Sequence, residues 1–120
     1  MSAQAIVLVG HGAREPRWAV PLERLAAALS KQAGDVAVRP AYLGFMAPSL
    51  SEALAALYRE GARKIRVVPV FLGAGSHVLR DIEDLVAAAR TLYPALELSL
   101  EPPVGERREV TEAIASAIAS

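Results

Sequence analysis

The sequence predicts an α/β domain over residues 1–120, with a four-stranded, mainly parallel sheet and helices on both faces. Three observations carry this prediction. Short apolar runs typical of buried strands alternate four times with segments whose apolar residues recur at helical spacing. Glycine or proline separates most of these segments, and 120 residues suit one domain. Because strand–helix–strand connections are right-handed, the helices are expected on both faces of a mainly parallel sheet.

The first half of the chain predicts two strands and one helix. Ala5 to Val9 is a continuous apolar run, as in a strand covered on both faces. After Pro16, a helix is predicted over 18–33, and Gly34 ends it as a C-cap. A second strand follows over 35–43 and closes at Gly44. The apolar stripe of the helix consists of Val20, Leu22, Leu25, Ala26 and Leu29.

The second half continues the alternation. The predicted elements are a helix over 51–60, a strand within 63–72, a helix over 78–92, a strand over 96–100 and a helix over 107–119. Pro69 cannot donate a ladder hydrogen bond, so we expect it near the carboxyl end of its strand or at a bulge.

Composition excludes several classes of function. Lys plus Arg number 13 and Asp plus Glu also number 13, so no net field attracts nucleic acid or an anionic membrane. The absence of cysteine excludes disulfides, thiolate metal sites, iron–sulfur clusters and cysteine nucleophiles. The first residues show neither a basic n-region nor an apolar run long enough for a signal or a membrane span. We therefore expect a cytoplasmic protein that binds neither nucleic acid nor a membrane.

The two histidines of the chain each follow a predicted strand. His11 stands in "LVGHGAREP" after the first strand, and His77 in "FLGAGSHVLRD" after the third. In a flavodoxin-like strand order of 2-1-3-4 these strands are neighbours, and ligands bind at their carboxyl ends. Neutral imidazole is both a divalent-metal ligand and a proton acceptor. The pair predicts an open metal site, and Gly10 and Gly12 are expected to leave space above His11.

Arginines are predicted near the same edge. Arg14 and Arg17 open the first helix and Arg80 opens the third. Helix N-termini favour anions, and arginine binds carboxylates in a bidentate manner. The alternative interpretation is that these are solvated surface side chains.

Other site motifs fail on inspection. "GHGARE" has Glu15 where a dinucleotide fingerprint needs its third glycine, and no Gly-Lys-Ser/Thr triplet of a Walker A loop occurs. A phosphohistidine enzyme would have arginine where Gly10 stands. Ser76 lies in "GAGSH", which is not the G-x-S-x-G of a nucleophile elbow.

Three segments resemble one enzyme family. They are "IVLVGHGARE", "VRPAYLGFMAPSLSEAL" and "VVPVFLGAGSHVLRDIEDLV", and together they are similar to the short sirohydrochlorin cobaltochelatases and ferrochelatases, the class II chelatases. The resemblance implies a chelatase-like α/β domain, a homodimer, and a lyase that inserts Co(II) or Fe(II) into sirohydrochlorin on the way to cobalamin or sirohaem.

The resemblance also implies site residues. His11 and His77 match the two metal-binding, catalytic histidines of the family. No cofactor is expected beyond the substrate metal, which is Co²⁺, Fe²⁺ or Ni²⁺. The candidate substrate-binding residues, drawn from the three edge loops, are Gly10, Gly12, Arg14, Gly44, Phe45, Gly75, Ser76 and Arg80.

One position departs from the family pattern. Many members have a glutamate after the second strand, where this chain has Gly44. Glu101, after the fourth strand, is a candidate replacement. Two alternatives stay open, namely a relative that binds metal or tetrapyrrole without catalysis and a phosphoester hydrolase that uses His11.

Overall fold

The computed structural model describes residues 3–120, and its helices and strands follow the predicted alternation. The strands are β1 (Gln4–Gly10), β2 (Ala37–Tyr42), β3 (Lys64–Pro69) and β4 (Glu97–Leu100). The helices are α1 (Val20–Ala33), α2 (Leu50–Arg59), α3 (Ser76–Leu92) and α4 (Arg108–Ala119), with short 3-10 helices at Pro16–Ala19 and Val104–Glu106. All three strand pairings are parallel, and the sheet order β2-β1-β3-β4 is the predicted one.

Two apolar layers sandwich the sheet. On one face Val7, Val9 and Val67 pack with Leu54 of α2 and Ile82 of α3 in a fully buried cluster. The opposite face holds a smaller cluster, formed by Ile6, Leu8, Tyr42 and Val68 of the sheet with Leu22 and Ala26 of α1. β1 is therefore covered on both faces, as its uninterrupted apolar run predicts.

Two local differences from the predicted elements have simple causes. Trp18 and Ala19 lie in a 3-10 turn, and the α-helix begins only at Val20. In α1 Leu22 and Ala26 are buried but Val20 and Leu25 remain exposed, because a single helix on this face contacts the sheet along a narrow line. Pro69 is the last residue of β3, the position expected for a residue without an N–H.

The last helix stands apart from the sheet. Val110 of α4 is half-buried and the other residues of the helix are exposed, although Ile114 and Ile118 lie on one apolar side of it. Its contacts are made with the preceding 3-10 turn. Among residues 3–120 no helix is both long and apolar enough to cross a membrane.

Candidate functional site

Three loops meet at the carboxyl edge of the parallel sheet. They follow β1, β2 and β3, which are adjacent in the sheet. His11 comes directly after the last residue of β1, and His77 is the second residue of α3. Both histidines are exposed. The structure therefore places the two predicted ligands just after neighbouring strands, at one edge of the sheet.

The position of His11 is fixed by its neighbours. Its imidazole ring lies 4.4 Å from the ring of Phe71, centroid to centroid, with the planes tilted by 39°. Phe71 is buried just beyond β3. The carbonyl of His11 accepts a hydrogen bond of 3.0 Å from the N–H of Gly44. The main chain and one face of the ring are thus held while the side chain stays open to solvent.

The glycines on either side of His11 serve backbone packing. Gly12 has a φ of 80°, and a β-carbon there would collide with the carbonyl of Gly44. A β-carbon on Gly10 would lie 3.0 Å from Cδ2 of Leu22 in α1. The loop after β2 and α1 thus fill the positions that β-carbons on Gly12 and Gly10 would take, while both glycines line a cleft beside His11.

The loop after β2 presents an aromatic ring. Phe45 has a φ of 66°, a left-handed conformation that is costly for a bulky residue, and it is 71% exposed. The guanidinium carbon of Arg14 lies 4.8 Å from the centre of the Phe45 ring, in cation–π contact. Two predicted substrate-binding residues from different loops are thereby brought together.

Gly44 in the same loop has open space beside it. A β-carbon built on this residue would meet no other atom within 4 Å, and its φ is not left-handed. A β-carbon at this position can therefore be accommodated without moving the loop.

The third loop follows β3 and leads into α3. Gly75 is the N-cap of the helix, Ser76 its first residue, and no side chain caps it. Ser76, His77 and Arg80 are exposed, and a β-carbon at Gly75 would meet open space. Within residues 3–120, neither Arg14 nor Arg80 forms an ion pair. Both guanidinium groups are therefore available to an anion.

A cleft of about 580 Å³ adjoins His11. Its walls are mostly apolar, and its titratable side chains are those of His11 and Tyr42. Two of its lining residues, Trp18 and Phe71, were not predicted as site residues. The sequence feature that could have indicated Trp18 is its position shortly after Pro16, in the connection from β1 to α1. Phe71 lies within the apolar run of a predicted strand, so its sequence does not distinguish it from a core residue.

The Tyr42 hydroxyl behind this cleft is buried and has no hydrogen-bond partner among the described residues. Burial, with a smaller contribution from the Glu23 carboxylate, raises the pKa of Tyr42 above its ordinary value. The hydroxyl is thus held in its neutral form.

Glu101 does not replace the missing carboxylate. Its side chain binds the guanidinium groups of Arg66 and Arg107, and it is not among the residues lining the His11 cleft. These two cations, Arg66 first, hold the pKa of Glu101 below its ordinary value. The prediction that Glu101 replaces the missing carboxylate is therefore wrong, because its carboxylate is ion-paired with Arg66 of β3 and with Arg107.

A metal at this edge would rest on few protein ligands. Across residues 3–120, there is no cluster of three or more histidine, cysteine, aspartate or glutamate side chains that could hold a metal ion. A closed structural zinc site needs four such ligands. Within residues 3–120 these side chains therefore form no closed structural metal site.

Known proteins resemble this chain in sequence and in fold. A sirohydrochlorin cobaltochelatase from Saccharolobus solfataricus is 33% identical over 115 residues, which are 91% of this chain and 88% of that protein. A CbiX protein from Marinobacter aquaeolei VT8, described as a putative cobalamin biosynthesis protein, superposes with a TM-score of 0.84 at 26% identity and covers 97% of this chain and 94% of that one.

A longer relative matches over half its length. The sirohydrochlorin chelatase SirB from Bacillus subtilis subspecies spizizenii, solved with cobalt, superposes with a TM-score of 0.77 at 29% identity. The match covers 97% of this chain but 50% of SirB. The chain likewise spans about half the length of other curated relatives that it matches. The CbiX family model matches residues 5–120, and the chain belongs to the CbiX family.

Proposed function

We propose that this protein is a lyase that inserts a divalent metal, Co(II), Fe(II) or Ni(II), into sirohydrochlorin. The observation that carries the proposal is the placement of His11 directly after β1 and of His77 in the first turn of α3 after the adjacent β3, with His11 lining a cleft of about 580 Å³. That volume lies within the range of small-molecule sites. Relatives that match most of the chain are named for this reaction.

In the proposed mechanism the two imidazoles hold the incoming ion. As the ion enters the macrocycle, two pyrrole N–H bonds break with their electron pairs left on nitrogen, four metal–nitrogen bonds replace the bonds to the imidazoles and water, and two protons leave. A neutral imidazole can accept such a proton, and the few protein ligands leave coordination positions for the macrocycle nitrogens. The metal is a substrate in this reaction, so no resident cofactor is invoked.

The side-chain carboxylates of the macrocycle need cationic partners. Arg14, in the loop after β1, and Arg80, near the start of α3, have no ion-pair partners within residues 3–120. We assign them to carboxylate binding, since guanidinium groups pair with carboxylates in a bidentate manner. The remaining residues of the proposed substrate surface are Gly10, Gly12, Gly44, Phe45, Gly75 and Ser76.

A second copy of the chain is the proposed partner. One chain matches half of SirB, so two chains together supply as much protein as that longer relative. The apolar side of α4, with Ile114 and Ile118, is uncovered and is the proposed contact. Helices of this length are marginal in water unless an apolar face is packed. A cytoplasmic location stays a prediction of the sequence.

The dimer is tested by the mass in solution. We expect the wild type at twice the mass of one chain and a double variant Ile114→Ser, Ile118→Ser at the monomer mass by light scattering. Glu112→Ala, on the polar side of α4, is the matched control and should stay dimeric. A wild type that is monomeric at micromolar concentration would contradict the proposed dimer.

The function is tested by metallation of sirohydrochlorin. Protein should accelerate the change in visible spectrum that follows addition of Co(II), Fe(II) or Ni(II). If none of the three ions is inserted faster than in buffer, the proposal fails.

A binding protein without catalysis is the second candidate, and Gly44 favours it. Where many chelatases carry a carboxylate, this chain has none, and Glu101 is bound elsewhere. This candidate predicts saturable binding of sirohydrochlorin with no acceleration of metal insertion.

A further inference from the structure

Trp18 is the chain's single tryptophan, and it is 70% exposed. It stands on the 3-10 turn between β1 and α1 and lines the same cleft as His11. Tryptophan carries a large apolar surface and is mostly buried in folded proteins. A ligand bound at the candidate site would cover this exposed side chain and so explain its position.

The turn that carries Trp18 is held in place. The N–H of Trp18 donates to the carbonyl of Glu15 at 3.0 Å, and the Glu15 carboxylate accepts from the N–H of Arg17 at 3.3 Å. Pro16 begins the turn with a fixed φ. The indole is thus presented from a braced backbone, so binding against it does not require the turn to become ordered first.

Space lies on more than one side of the indole. The cleft of about 580 Å³ places Trp18, Pro21 and Leu25 along its helix side, with His11 and Phe71 on the sheet side. A shallower hollow of about 320 Å³ adjoins Trp18 and Pro21 beyond it and includes Arg17 and Glu15. Trp18 therefore lines both the apolar cleft and the shallower hollow that includes the charged residues Arg17 and Glu15.

We infer that Trp18 is the stacking surface for the conjugated face of the tetrapyrrole. The inference rests on the proposed function, because that function supplies a flat, conjugated ligand with carboxylates at its edge. An indole offers a rigid π-face at low cost in side-chain entropy. A macrocycle lying against Trp18 places its body in the cleft next to His11.

The test measures the affinity of the protein for metal-free sirohydrochlorin. Binding is monitored through the absorption spectrum of the ligand. Trp18→Ala should weaken binding roughly tenfold, and Trp18→Phe, which keeps an aromatic face, by about threefold or less. Leu92→Ala is the control, because Leu92 is a comparably exposed apolar residue, 68% exposed, that does not line the cleft. Its affinity should equal that of the wild type.

A second readout reports contact directly. A single tryptophan gives one indole N–H signal in an NMR spectrum of the ¹⁵N-labelled protein. A macrocycle stacked on Trp18 should move that signal upfield through its ring current. Equal affinity of Trp18→Ala and the wild type, or an indole signal that does not move when sirohydrochlorin is bound, would overturn the inference.

Two further outcomes are distinguishable. If the indole signal shifts with protein concentration in the absence of ligand, Trp18 is a contact between copies of the chain and the inference is wrong. If sirohydrochlorin binds and shifts the signal but metal insertion is not accelerated, the stacking role stands and the proposed catalysis fails.

Discussion

The carbonyl oxygen of Gly44 occupies the place where a β-carbon on Gly12 would stand. The loops after β1 and β2 therefore touch through their backbones at this point, and the N–H of Gly44 donates to the carbonyl of His11 in the same contact. The residue after His11 must be glycine for the loop to close in this way. The position of the imidazole thus depends on a residue with no side chain.

Replacing Gly12 with alanine should destabilise the protein by at least about 2 kcal/mol, because the left-handed backbone and the overlap with Gly44 are both unfavourable to a β-carbon. Gly44→Ala is the matched control, since a β-carbon there meets open space, and it should change stability by about 0.5 kcal/mol or less. Urea unfolding midpoints measure both. Equal losses for the two variants would show that the contact does not constrain the loop.

Gly44→Glu tests whether a missing carboxylate limits catalysis. The site has room for a side chain, so the variant should fold with unchanged stability. If a carboxylate beside the histidines assists proton removal, we expect the rate of metal insertion to rise by about tenfold or more, the lower range for a positioned general base. Gly44→Gln, which has the same shape without the charge, separates the carboxylate from a packing effect. Equal rates for both variants and the wild type would show that this chain does not need the group.

Tyr42→Phe should stabilise the protein by about 1 kcal/mol, because it removes a buried hydroxyl that has no partner among residues 3–120 and keeps the ring that packs under α1. Tyr93→Phe, at a half-buried tyrosine, should change stability by about 0.5 kcal/mol or less. Denaturant unfolding at neutral pH gives both values. A loss of stability in Tyr42→Phe would mean that the hydroxyl is hydrogen-bonded in solution.

Glu101 predicts acid sensitivity of the fold. Its folded-state pKa lies below the ordinary value because Arg66 and Arg107 favour the carboxylate. A lowered folded pKa contributes stability that is present above the ordinary value of 4.5 and is lost as pH falls through the folded value. Glu101→Gln should therefore cost of the order of 1 kcal/mol at neutral pH and nothing well below pH 4.5.

Unfolding midpoints of Glu101→Gln and the wild type across this range are the measurement. A constant difference between the two unfolding midpoints at all pH values would contradict a stabilising role for the ion pairs of Glu101. The rate of metal insertion should be unchanged in this variant at neutral pH, because Glu101 lies outside the His11 cleft.

Much of the fold was predictable because its determinants are local. The apolar run in β1 and the position of Pro69 each depend on neighbouring residues, and each agrees with the structure. The strand order followed from the alternation of strands and helices with the rule of right-handed connections.

The site was predictable only in part. Two histidines after neighbouring strands were visible in the sequence. The packing of His11 on Phe71, the ion pairs of Glu101 and the exposure of Trp18 depend on residues far apart in the chain. The exposed side of α4 was equally hidden, because an amphipathic pattern predicts that a face is covered but not that its own sheet leaves it free.

The most direct test of the account is the rate at which Co(II) enters sirohydrochlorin in the presence of wild type, His11→Ala and His77→Ala. We expect acceleration by the wild type and its loss in both variants, with stability unchanged because both histidines are exposed. Wild-type acceleration that persists in both variants would contradict the assignment of the paired histidines as the metal-inserting centre.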